Sequence, residues 1–130
     1  MKPAGGDIQI ITNDPRFSKA LDLFNSAQWY LAHDAFEELW FEAYGPERKI
    51  LQGLLQIAVA QLHLEKGNNV GATILYGEGL GRLRSTGIPD LGIDLDLVCN
   101  CVQSRLEALQ QELDPEKCST PVLQDKPRLK

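Results

Sequence analysis

The stretch WYLAHDAFEELW, residues 29–40, places ionisable side chains between residues that are typical of a hydrophobic core. His33 and Glu37 are four residues apart and would therefore share one face of a helix. A carboxylate beside an imidazole in a partly buried site can act in general acid–base catalysis, so Glu37 is the first catalytic candidate and His33 the second. No serine or cysteine lies near a histidine in the helical pattern, which argues against acyl transfer through a nucleophile.

His33 and Glu37 could also share a metal ion, with His63 of a following helix as a third ligand. Nitrogen and oxygen ligands of this kind suit zinc or iron. The Glu-x-x-His pairs of di-metal helical bundles are absent from the sequence. We therefore commit to no metal, no cofactor and no catalytic residue, and keep His33, Glu37 and His63 as weak metal candidates.

Apolar residues recur at helical spacing along most of the chain and predict an all-α, single-domain bundle of about five helices. Asp14 and Pro15 are typical of a helix start, and Gly45-Pro46 and Gly67 are typical of helix ends. The predicted helices cover residues 15–26, 29–44, 47–66, 70–85 and 95–113. The predicted domains are an N-terminal arm at 1–13, the bundle at 14–113 and a flexible C-terminal tail at 114–130.

The fourth predicted helix contains three alternating glycines, Gly77, Gly79 and Gly81. Each costs up to about 1 kcal/mol relative to alanine inside a helix. No strand precedes them and no GK[ST] follows, so they do not form a phosphate-binding loop. Gly79 lies on the apolar face of the helix, which predicts close approach of a neighbouring helix.

Polar residues form one stripe on helix two and another on helix three. Because a short turn at Gly45-Pro46 joins these helices, we expect an antiparallel pair whose polar stripes meet. Buried polar groups without partners would cost about 1–3 kcal/mol each, so a shared seam is the economical arrangement. The predicted seam consists of His33, Glu37, Trp40, Gln52, Gln56 and His63.

Composition excludes several classes of function. The 130-residue chain has a net charge of −5, which argues against binding to nucleic acid or to an anionic membrane surface. No segment approaches the roughly 20 apolar residues that a membrane span requires. Three cysteines give no disulfide framework and favour a reduced, cytoplasmic protein.

The segments AHDAFEELW and RKILQGLLQIAVAQLHLEKGNNVGA resemble the family named domain of unknown function 309 (DUF309), over about Phe24 to Leu83. The resemblance implies a small helical bundle of bacterial, cyanobacterial or plastid type, without an established chemistry. Asp34 stands where the family usually has glutamate. Besides the seam residues, the family motif covers positions that we interpret as structural: Glu38, Arg48, Gly53, Gly67, Asn68 and Gly71.

Structural roles explain several motif positions. Arg48 could pair with Glu38 or Glu42 across the helix pair, an interaction of modest energy at a surface. Asn68 is expected to cap helix four, and Gly67 to serve the turn before it.

The favoured function is that of a non-enzymatic binding or scaffold protein, with a small polar pocket at one end of the seam for an unknown small ligand or protein partner. One alternative is a metal- or water-dependent, hydrolase-like enzyme that uses Glu37. The other is a self-associating module, such as a homodimer formed through helix five or the surface of helix one. An open cavity that reaches Glu37 would favour the first two, and an exposed apolar strip on helix five the third.

Overall fold

A computed structural model describes residues 11–85 and 87–127 of the chain. Within these residues it contains five α-helices and no β-strand, which confirms the predicted all-α bundle. None of its helices combines the length and the apolar character needed to cross a membrane. The helices are α1 (Pro15–Asn25), α2 (Trp29–Glu42), α3 (Pro46–Glu65), α4 (Asn69–Leu83) and α5 (Leu95–Gln110), with short 3-10 turns at Ile11–Asn13 and Pro115–Lys117. Most of the predicted arm, residues 1–10, lies outside the described residues.

Local capping chemistry sets most helix starts where the sequence predicts them. The backbone amide of Arg16 donates a hydrogen bond to a side-chain oxygen of Asp14 at 2.9 Å. The backbone amide of Gly71 donates to the side-chain oxygen of Asn68, also at 2.9 Å. These bonds satisfy amides that have no partner within the first turn. Helix α2 ends at Glu42, two residues earlier than predicted. Gly45 before α3 has a φ of +71°, a backbone conformation that favours glycine.

Helix α3 occupies the centre of the bundle and packs against α2 on one side and α4 on the other. The packing of α2 against α3 is compatible with the predicted antiparallel pair. The backbones of α3 and α4 approach each other closely at Gly79. A Cβ atom placed on Gly79 would lie only 3.0 Å from the carbonyl oxygen of Gly53. This confirms the expected close approach at Gly79. Gly77 and Gly81 have open space beside them, so they play no part in this contact.

A buried polar network ties three helices to the chain that follows them. Arg105 of α5 is only 1% exposed and donates to the carbonyl oxygens of Ser119 at 2.9 Å and Cys118 at 3.2 Å. Its guanidinium also reaches the Gln61 side-chain oxygen, which accepts the hydroxyl of Tyr76. Burial raises the pKa of Tyr76 to about 12. The network therefore fixes α3, α4 and α5 relative to one another and to residues 118–119.

The segment after α5 packs along the bundle. Leu123 and Pro121 are buried, and the Asn25 side chain pairs with both the amide and the carbonyl of Leu123, at 2.7 and 3.0 Å. The amide of Asp94 donates to the Gln124 carbonyl at 2.9 Å. The sequence did not suggest these contacts, and the mobility expected for residues 114–130 stays a prediction.

Candidate functional site

The structure does not bring the six residues of the predicted seam together. Gln56 of α3 faces α4, where its amide nitrogen donates to Glu78 at 2.9 Å and its oxygen accepts Arg82 at 3.1 Å. His63 contacts the Asn68 side chain at 3.2 Å, at the turn between α3 and α4. The expectation that Gln56 and His63 would face α2 is therefore wrong. The close contact of Gly53 with α4 turns this polar edge of α3 towards α4 instead.

His33 and Glu37 remain on the surface of α2. Nδ1 of His33 lies 3.2 Å from the Asp34 carboxylate, and Nε2 of the same ring lies 3.7 Å from the Glu37 carboxylate. The Glu37 side chain is 42% exposed. The core-facing residues of α2 include Ala32, Phe36 and Leu39, so burial of this apolar stripe leaves His33 and Glu37 at the edge of the helix.

Trp40 has a different environment from the other predicted seam residues. The Arg48 guanidinium lies 4.0 Å above its ring, a cation–π arrangement, and Arg48 Nε donates to the Trp40 carbonyl at 3.3 Å. Among the described residues the buried indole nitrogen of Trp40 has no hydrogen-bond partner. Gln52 is half-buried on α3. The binding role of all six seam residues remains a prediction. Because these residues lie at different places in the bundle, they would not form one continuous site.

The motif positions interpreted as structural have identifiable contacts. Gly53 allows the close α3–α4 approach, and Gly67 has a φ of +75° at the turn after α3. A Cβ on Gly71 would lie 2.6 Å from the side-chain nitrogen of Asn68, the residue that caps α4. Arg48 stacks on Trp40, and both partners expected for its charge, Glu38 and Glu42, pair with Arg16 instead.

Metal binding receives no geometric support. In residues 11–85 and 87–127, no three side chains of His, Cys, Asp or Glu lie close enough together to hold a metal ion.

Arg16 is the centre of a charged cluster that sequence reasoning missed. Its guanidinium donates to Asp14 at 2.8 Å, to Glu38 at 3.0 Å and to both carboxylate oxygens of Glu42 at 2.8 Å. Hydrogen bonds from Arg16 hold the pKa values of the Asp14 and Glu42 carboxyls below their usual range, and those carboxylates in turn raise the pKa of Arg16. The cluster connects the start of α1 to the last turns of α2. The two α2 partners of Arg16, Glu38 and Glu42, lie 22 and 26 residues away in sequence, which no local pattern could indicate.

A half-open cavity of about 160 Å³ lies beside this cluster. Apolar side chains line one part of it, whereas Arg16 and three carboxylates line the rest. Tyr44, which is 79% exposed, stands at its edge. A cavity of this size can hold one small ring or one side-chain head group. The lining residues are Ile11, Asp14, Arg16, Leu39, Glu42, Ala43, Tyr44 and Glu47.

These features define an all-α bundle with a surface cavity at the junction of its first three helices. Residues 17–75 match the model of the family described as Domain of unknown function (DUF309), which confirms the resemblance of the α2 and α3 segments to that family. The matched stretch runs from α1 to the first half of α4. The buried Arg105 network extends beyond the match into α5 and the C-terminal segment. The search of curated proteins found no match for this chain.

Proposed function

We propose that this protein is a non-enzymatic binding protein and that the cavity beside Arg16 receives a cationic group. The observation that carries the proposal is the cavity itself, which is open to solvent and large enough for an ammonium or guanidinium group with its apolar stem. It lies at the C-terminal end of α2 and the start of α3. The sequence led us to expect a pocket at one end of the polar seam, whereas none of the six seam residues lines this cavity.

The charge of the lining favours a cation. The lining contains three carboxylates, those of Asp14, Glu42 and Glu47, and one guanidinium, so it keeps an excess of negative charge after Arg16 is counted. Leu39 contributes apolar surface that an alkyl stem can contact. The exposed ring of Tyr44 can add a cation–π contact worth about 0.5–1 kcal/mol.

The alternatives have weaker support. The hydrolase-like alternative depends on Glu37, whose partly exposed side chain is not among the residues that line this cavity. Self-association through α5 would need an exposed apolar strip, whereas Val98, Val102 and Leu106 of that helix are buried. We further propose a reducing, cytoplasmic setting, which the free cysteines Cys99, Cys101 and Cys118 support.

The proposal is tested by nuclear magnetic resonance, with N-acetyl-lysine methylamide and N-acetyl-arginine methylamide as probes. We expect saturable shifts of the backbone amides of Arg16, Glu42, Tyr44 and Glu47. N-acetyl-glutamate methylamide has the same backbone and the opposite charge, so it should cause no saturable shift.

Two matched variants separate the cavity from general charge effects. Glu47→Gln removes one carboxylate from the lining and should weaken binding of the cationic probes severalfold. Glu65→Gln removes the same charge at the far end of α3 and should leave binding unchanged. Equal responses of the two variants, or shifts spread over the whole surface, would refute the cavity as the site.

A further inference from the structure

A second open groove is lined by residues of α1, of α2 and of the turn between them. Its lining combines leucine and alanine side chains with carboxylates. Three carboxylates outnumber the one lysine, Lys19, in the lining. The residues that define this α1–α2 groove are Asp22, Leu23, Leu31, Asp34, Ala35 and Glu38.

The neighbouring surface of α2 has a related character. Tyr30, Asp34, Glu37 and Phe41 follow one another at intervals of four, three and four residues, so they form a single line along the helix. Tyr30 is 61% exposed and Phe41 is 70% exposed. Aromatic side chains such as Tyr30 and Phe41 are enriched at surfaces that bind a protein partner.

Arg16 connects the groove to the cavity. Its guanidinium donates to Glu38, which lines the groove, and to Glu42, which lines the cavity. The two spaces therefore lie along the same pair of helices on either side of one intramolecular arginine. The arrangement shows that a guanidinium can be held at this position by carboxylates of α2.

We propose that the α1–α2 groove and the adjoining cavity bind a basic amphipathic segment of a partner protein. Apolar side chains of the segment contact Leu23, Leu31 and Ala35, and its lysines or arginines face Asp34 and Glu38. One basic side chain at the end of the segment enters the cavity, so this inference rests on the proposed function. Charge complementarity with the protein's net charge of −5 steers such a segment to the surface.

A second copy of the chain is a poorer occupant of the same surface. In a two-fold symmetric contact the same patch meets itself. Asp34 and Glu38 would then approach the corresponding carboxylates of the partner, and like charges across an interface cost several kcal/mol.

The test measures the fluorescence anisotropy of a labelled synthetic peptide in which leucine and lysine recur at helical spacing. A twin peptide with glutamate in place of each lysine is the control ligand. The full-length protein should bind the lysine peptide and not its twin. The double variant Asp34→Lys with Glu38→Lys should weaken binding of the lysine peptide at least about tenfold, which corresponds to about 1.4 kcal/mol. The same variant should gain binding to the glutamate twin.

The matched control variant is Asp96→Lys with Glu107→Lys, which makes the same change of net charge at exposed positions of α5. It should change the affinity for the lysine peptide less than about threefold. Circular dichroism and urea unfolding verify that both variants are folded. Equal loss of affinity in the two double variants would overturn the inference, because binding would then follow net charge alone.

Two further results separate this inference from the proposed function. If Glu47→Gln weakens the small cationic probes while the groove variant leaves peptide affinity unchanged, the cavity stands and the groove is excluded. If peptide binding depends on Asp34 and Glu38 but Glu47→Gln has no effect on the peptide or the small probes, insertion into the cavity is wrong. A dimer in analytical ultracentrifugation that the groove variant dissociates would assign the surface to a second copy and overturn the inference.

Discussion

Replacing Arg105 with alanine should lower the free energy of unfolding by about 3 kcal/mol. The guanidinium is 1% exposed and makes its two shortest hydrogen bonds to the carbonyls of Ser119 and Cys118. Hydrogen bonds to a charged group contribute about 1.5–3 kcal/mol each. Part of that gain is offset by the free energy needed to remove the guanidinium from water. The two bonds therefore give about 3 kcal/mol, a large fraction of the roughly 5–15 kcal/mol that stabilises an ordinary domain.

The assay is equilibrium unfolding in urea, where a loss of about 3 kcal/mol lowers the midpoint by roughly 2 M at an m-value of about 1.5 kcal/mol/M. Hydrogen exchange should quicken in residues 118–123, which the guanidinium and Asn25 hold in place. Arg84→Ala is the control, because Arg84 makes one exposed bond to Gln103 at 2.9 Å, and its loss should cost less than about 0.5 kcal/mol. A loss below about 1 kcal/mol for Arg105→Ala, without faster exchange in that segment, would refute the view that this network holds the segment.

Three further predictions concern the helices that surround this network. Gly79→Ala should destabilise the protein by about 1–3 kcal/mol, because the new Cβ would lie 3.0 Å from the Gly53 carbonyl oxygen, whereas Gly77→Ala should stabilise it by up to about 1 kcal/mol. Urea unfolding of both variants checks this, and equal effects would contradict the close-approach argument. Tyr76 should titrate near pH 12. Subtracting the absorbance titration of the Tyr76→Phe variant from that of the wild type isolates the signal of this tyrosine. Because its folded pKa is raised above the ordinary tyrosine value of 10.0, its contribution to stability is complete below about pH 10 and is lost as the pH rises towards 12. A stability difference between the two proteins that stays constant over that interval would count against this prediction. Asn68→Ala should cost about 1 kcal/mol through loss of the α4 cap, and a thermal midpoint equal to that of wild type would show that the cap is dispensable.

The sequence predicts the helices well because their ends are set by local chemistry. Asp14 caps α1, Pro46 begins α3 and Asn68 caps α4, each within a few residues of the group that it satisfies. Gly79 could also be interpreted correctly, since its neighbours along the helix showed that it lies on an apolar face. Such signals depend on residues close together in the chain.

The side-chain networks could not be predicted in the same way. Gln61 and Arg105 are 44 residues apart, and Asn25 and Leu123 are 98 apart. The predicted seam failed because helical spacing defines which residues share a stripe but leaves the rotation of each helix open. Gly53 supplied a usable signal: a glycine within an apolar helix indicates close approach of a neighbour, and that neighbour is α4, towards which Gln56 then turns.

The polar network around Arg105 and the carboxylates along α2 have opposite relations to solvent, so we expect substitutions in them to have different effects. The network around Arg105 is buried, and its loss leaves polar groups without partners, so substitutions there should change the free energy of unfolding. The carboxylates along α2 are exposed, and exposed ion pairs contribute little to stability, so the groove and cavity can be altered without unfolding the bundle. Substitutions on such a surface change the free energy of unfolding little, so the surface is suited to specify different partners on one helical scaffold. The variants at Asp34, Glu38 and Glu47 should therefore alter binding at nearly constant stability, whereas those at Arg105 should do the reverse.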